Sequence, residues 1–186
     1  VSAVVLGVDP GAKGTGLALV AHGQLRHAET VRTVRADPLR PAHTYLASVL
    51  EQVTLALIDA GQRGELVEAI AVEGVTKPNP HMNRRNGRAA TDPSHIMGAA
   101  MVFGAVVAHD WPVRVLVVRP GGNGSRPLGA YPSPLVSDAE RRVSGWQMRP
   151  AGTGKLKDQR SAYDVAREAA QYVPAIAGTT RLTYLY

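Results

Sequence analysis

The sequence predicts an α/β fold: a five-stranded mixed sheet, three strands antiparallel and then two parallel, flanked by helices. Three observations predict it. Short β-branched runs near the start are separated by tight turns, the pattern of an antiparallel meander. The apolar residues then take up a helical period over residues 42–60. Strand-like runs return at 67–73 and 113–118, each after a helical stretch. Such crossovers make a strand parallel to one already in the sheet.

In chain order, Ala3–Asp9 is a β-branched run that stops at Asp9-Pro10-Gly11. After the turn Gly14-Thr15-Gly16, Leu17–Ala21 makes a second strand, and Gln24–Thr33 a third beyond His22-Gly23. Leu46, Val49, Leu50, Val53 and Leu57 form one helical stripe, with Gly61 as the expected C-cap. Val67–Glu73 returns to strand, and residues 74–91 are a polar, basic loop. Asp92-Pro93 reads as N-cap and first residue of a helix reaching about Asp110, apolar nearly all round. Val113–Val118 is the fifth strand. Residues 119–137 hold four Pro, four Gly and no acid, so a long loop is expected there. Asp158–Tyr172 is the last helix, stopped by Pro174. The chain thus reads as a single domain over 1–172 with a tail over 173–186.

Composition excludes several classes. With 186 residues, 45% of them hydrophobic, the chain can bury a core. It has no cysteine, which removes a disulfide scaffold, Cys-ligated zinc, iron–sulfur clusters and thiol nucleophiles. Pro93–Ala108, the most apolar stretch, is shorter than the roughly 20 residues a bilayer span needs. The N-terminal residues lack the features of a signal peptide. No membrane contact and a cytoplasmic location are the expectation. The net charge of +6 is unevenly spread: residues 1–73 carry −2 and residues 74–186 carry +8. A polyanion-binding face is expected from the second part.

Asp9 and Glu73 each finish an apolar strand. If the strands are neighbours, the two carboxylates lie about 5 Å apart at one sheet edge. Two such charges repel, and a divalent cation between them relieves the repulsion. Hard oxygen ligands select Mg²⁺ or Mn²⁺. The last helix adds Asp164, flanked by small Ala residues that permit close helix–sheet approach. Asp158, six residues earlier, points about 120° away on an ideal helix. It joins Asp164 only if the helix starts after it.

At this point the residues resemble a family. Val5-Leu6-Gly7-Val8-Asp9-Pro10-Gly11, followed by Gly14-Thr15-Gly16-Leu17-Ala18, resembles the first two strands of RuvC-type Holliday-junction resolvases. Ala69-Ile70-Ala71-Val72-Glu73 resembles their fourth strand, and Gly98-Ala99-Ala100 with Gly104–Ala108 the small-residue helix after it. Ser161-Ala162-Tyr163-Asp164-Val165-Ala166 looks like their last acidic helix. The resemblance implies a ribonuclease-H-like fold and metal-dependent cutting of branched DNA by a homodimer, paired through helix 92–110. It implies Asp9, Glu73 and Asp164 as catalytic metal ligands. The family commonly has Asp or His three positions before the last acid, where this chain has Ser161. Either Asp158 supplies a fourth ligand, or three carboxylates act with more water. The chemistry expected is two-metal phosphodiester hydrolysis.

The expected DNA-binding side chains flank the acids. Lys77, Arg84, Arg85 and Arg88 follow Glu73 in a segment without acid. Arg141, Arg142, Lys155 and Lys157 precede or enter the last helix, and Arg114, Arg119 and Arg126 extend the patch. Three other readings compete. One is another ribonuclease-H-like nuclease acting on flaps, forks or RNA–DNA hybrids. Another is an actin-like kinase or ATPase, for which 186 residues are too few. The third is an inactive junction-binding protein.

Overall fold

Val4-Val5-Leu6-Gly7-Val8 is apolar or small throughout, and the fold covers both of its faces. The computed structural model describes residues 3–33, 43–75, 93–151, 154–176 and 181–185. Strands β1 (Val4–Asp9), β2 (Gly14–Ala21), β3 (Gln24–Arg32), β4 (Ala69–Glu73), β5 (Arg114–Val118) and β6 (Leu182–Leu185) form one sheet in the order β3-β2-β1-β4-β5-β6. The meander β1–β2–β3 is antiparallel, and β4, β5 and β6 run parallel to β1. The five expected strands are therefore six. The additional one lies in the segment expected to be a tail: Leu182–Leu185 pairs with β5 at the sheet edge. Four residues carry too little periodicity to announce a strand.

Helices α1 (His43–Gln62) and α2 (Pro93–Ala108) cover one face, and α4 (Lys157–Ala169) the other. α1 keeps the expected stripe but runs past Gly61. The turn that ends it has Gly64 at φ 76°, with Gly64 N–H on Gly61 O and Glu65 N–H on Ala60 O. This is the paired bonding of a Schellman ending, so the cap is Gly64, not Gly61. α4 ends at Ala169, three residues short of the expected Tyr172.

Residues 119–137 are not an open loop. Short 3-10 turns at Leu128–Ala130 and Ser133–Leu135 lead into α3 (Asp138–Arg141). Leu128, Tyr131, Leu135 and Val136 are buried against α4. α4 is thus held between the sheet and this segment, which explains why Arg160 and Asp164 are buried on a helix of polar composition.

Period-2 alternation assigns the strand side chains. Leu6, Val8, Ile70 and Val72 face α1 and α2, while Val5, Ala69 and Ala71 face α4. Gly7, Asp9 and Glu73 continue the second set. α4 approaches very closely at two places. A Cβ on Gly7 would lie 2.0 Å from Ala162 O, and one on Gly16 would lie 2.0 Å from Asp158 O. Glycine in β1 and β2, with Ala162 and Ala166 on the helix, seats the start of α4 over the strand ends that carry the acids.

Candidate active site

Asp9 closes β1 and Glu73 closes its parallel neighbour β4, one position beyond the Val8–Val72 pair. Both half-buried side chains turn toward α4, and the two carboxyls are in hydrogen-bond contact. Burial, then the charge and hydrogen bond of Glu73, then the charge of Asp158, push the Asp9 carboxyl well above its ordinary value of 3.8. A hydrogen bond with Ser161 opposes the shift. Glu73 Oε2 accepts from Ser161 Oγ at 3.0 Å. Glu73 Oε1 accepts from Asn123 Nδ2 at 3.0 Å and from the Gly121 N–H at 3.3 Å.

Asp158 stands in the first turn of α4, above Gly16. Its Oδ2 is 3.7 Å from Arg32 Nη2. Burial raises its pKa above the ordinary value, and the charges of Arg32 and Lys157 only partly offset the rise. An open cleft of 990 Å³ begins at Asp158 and is lined by Lys13, Arg32, His95, Lys155 and Lys157. Tyr45 of α1 holds the turn after Asp9: its hydroxyl donates to Gly11 O at 2.7 Å and accepts from Thr15 Oγ1 at 2.7 Å.

Asp164 is elsewhere. Its carboxylate accepts from the Gly124 N–H at 2.9 Å, Tyr131 OH at 2.7 Å and Arg126 Nε at 2.8 Å, with Arg126 Nη2 also on Oδ1. Tyr131, buried against that carboxylate, has its own pKa pushed up to about 12. The structure does not group Asp164 with Asp9 and Glu73: α4 packs Ala162 and Ala166 on Gly7, which leaves Asp158 and Ser161 beside the strand ends and turns Asp164 to the packed segment. Among the described residues, no group of three or more His, Cys, Asp or Glu side chains is placed to hold a metal ion together; the Asp9–Glu73 pair is the closest approach of acids at the strand ends.

No family model matches the chain, and no curated protein does. Solved structures do. Thermus thermophilus RuvC in complex with Holliday junction substrate is 21% identical, covers 92% of this chain and 96% of its own, and superposes with a TM-score of 0.55. A second Thermus thermophilus RuvC structure is 22% identical, covers 95% and 97%, and has a TM-score of 0.50. The fold is the RuvC fold. It is mixed α/β and ribonuclease-H-like, as the motifs suggested, with the strand-end acids on adjacent strands.

Within this RuvC fold the basic side chains are distributed unevenly. Lys155 and Lys157 are exposed on the cleft. Arg142 is exposed, but Arg141 is bound to Ser133 and Asp138. Arg126, expected to extend a DNA-binding patch, is committed to Asp164. Lys77, Arg84, Arg85 and Arg88 lie outside the described residues. Asn123, Arg32 and Tyr45 were not singled out from the sequence. Gly121-Gly122-Asn123-Gly124 follows β5, which the structure pairs with β4 ending in Glu73.

Proposed function

We propose that the chain is a divalent-metal-dependent endonuclease that cuts branched DNA, Holliday junctions included. The observation that carries this reading is the Asp9–Glu73 contact: two carboxyls pressed together at parallel strand ends, with Asp158 adding negative charge, on a RuvC fold. The donor set is all oxygen, and its repulsion leaves Asp9 short of a countercharge, which suits Mg²⁺ or Mn²⁺. Asp9 and Glu73 would hold the metal, with Asp158 adding negative charge beside them; when bound, the metal would supply an activated water and stabilisation of the leaving 3′-oxygen.

The chain's own residues do the rest. Ser161 and Asn123 fix the rotation of the Glu73 carboxylate from two sides. Lys13, Arg32, Lys155 and Lys157 offer positive charge along the cleft to the phosphates beside the cut. Arg142, with Lys77, Arg84, Arg85 and Arg88, would extend that surface. The pairing of two copies would use α2, whose Met97 (55% exposed) and Met101 (44% exposed) stand in one exposed stripe with Ala100, Gly104 and Ala108. An isologous contact there would space two sites across a symmetric junction. No helix among the described residues is long and apolar enough to cross a membrane.

The test is cleavage of a synthetic four-way junction by the purified chain with Mg²⁺, against linear duplex, flap, fork and RNA–DNA hybrid controls. Paired cuts in the junction support the reading, and preferential cutting of a hybrid or flap replaces it with another nuclease. Ser161, a neutral group against Glu73, favours a second reading: junction binding without cleavage. Tight junction binding with no product in either metal would select it.

A further inference from the structure

Asp164 is only 8% exposed, and among the described residues its side-chain donors come from one stretch, Gly124 to Tyr131. Immediately before that stretch, Gly121 and Asn123 donate to Glu73. One short segment is therefore tied at two points, to Asp164 behind α4 and to Glu73 in front of it. Gly124 is the link. Its φ is 75°, and a Cβ there would meet Ser161 N at 3.1 Å and Lys157 O at 3.2 Å. The segment is pressed onto the same turns of α4 that carry Asp158 and Ser161. Arg126 further closes it, with its guanidinium 4.8 Å from the Tyr131 ring centre.

We propose that Asp164 is a positioning residue rather than a metal ligand. By holding Gly124, Arg126 and Tyr131 against α4 it fixes Asn123, and Asn123 sets the orientation of the Glu73 carboxylate. What Glu73 does rests on the nuclease reading above; the anchoring of the segment does not. Groups that orient a ligating carboxylate typically change metal affinity by about 10–100-fold when removed, less than the loss of a ligand.

The experiment uses the full chain as wild type, Asp164→Asn, Asn123→Ala, the double variant, and Tyr131→Phe as a milder break should Asp164→Asn fold poorly. In EDTA, amide hydrogen exchange at Gly121 and Gly124 is expected to accelerate about tenfold or more in Asp164→Asn, and in the same direction in Tyr131→Phe. Mn²⁺ titration is expected to show affinity lowered about tenfold in Asp164→Asn and in Asn123→Ala, with the double variant no weaker than the worse single. Loss of Mn²⁺ binding in Asp164→Asn as complete as in Asp9→Asn, with Gly124 protection unchanged, would overturn the proposal in favour of a ligand. Multiplying losses in the double variant would overturn it too, since Asp164 would then not act through Asn123. A wild-type chain that binds no Mn²⁺ and cuts no junction would defeat the nuclease reading, while the exchange rates would still decide whether Asp164 anchors the segment.

Discussion

Helix α4 has an acid on each side, and the two are treated in opposite ways. On the sheet side, Asp9 meets another carboxyl and the charge of Asp158, with a serine hydroxyl as its compensating contact. On the outer side, Asp164 meets a guanidinium, a phenol and a backbone amide. Both are drawn out of water, so burial alone does not distinguish them. The balance of partners does. An acid surrounded by donors is finished as a structural element, whereas acids that face one another call for a cation from outside.

The sharpest way to break this contrast is to remove charge from the sheet side. Asp9→Asn or Glu73→Gln is expected to lower junction cleavage roughly a thousandfold, with the circular dichroism spectrum of the wild type retained. Single-turnover rates at saturating enzyme check this. Activity within a few-fold of wild type would mean that the strand-end pair is not the reacting centre.

The outer side should respond in stability. Asp164→Ala strands Arg126, Tyr131 and the Gly124 amide, and about 3 kcal/mol of folding stability is expected to go with it. A urea midpoint measured without metal tests this, and an unchanged midpoint would show that water replaces the carboxylate without loss. Between the two sides lies the helix itself. Gly16→Ala puts a methyl group 2.0 Å from Asp158 O, where backbone must move. We expect about 1–3 kcal/mol of destabilisation and a weakened metal response, because Asp158 is lifted from Asp9.

The smallest effect is a pH dependence. The folded-state pKa of Asp9 lies above its unfolded value, so its contribution to stability is present below the ordinary value of 3.8 and is lost as pH rises through the folded pKa. In EDTA, Asp9→Asn should therefore melt above wild type at neutral pH, with the gap closing as the pH approaches 4. A melting series from pH 4 to 8 reads it directly, and saturating Mg²⁺ should reduce the gap.

Much of this was legible before any coordinates. Asp9 and Glu73 each interrupt an apolar run at a strand end, and the crossover makes the second strand parallel in the same sheet; that the two are neighbours is what the structure adds. Gly7 and Gly16 stood within recognisable motifs, and Ala162 and Ala166 announced close packing. The sequence alone does not set Asp164 apart from the pair, because helical period gives the angles between side chains but not which side of the helix meets the sheet. Ala162 and Ala166 pack on Gly7, which turns Asp164 to the opposite side. The segment 119–137 was opaque for a different reason: its order comes from Tyr131, Arg126 and Leu135 meeting α4, and none of these contacts has a local periodic signature. The last strand is a four-residue edge whose pairing with β5 no local pattern reveals.

The close seating of α4 on Gly7 and Gly16 has a consequence for how the molecule comes into being. The first acid emerges from the ribosome well before the helix that covers it, because Asp9 and Asp158 are separated by nearly the whole domain. At a synthesis rate of about 5–20 residues per second, the strands wait on the order of ten seconds for α4. During that interval Val5, Ala18 and Val20 lack their covering helix. The acid notch is then bare and incomplete, so a nascent or prematurely terminated chain cannot assemble it. The covered strand-end pair therefore arrives late and all at once, when α4 docks.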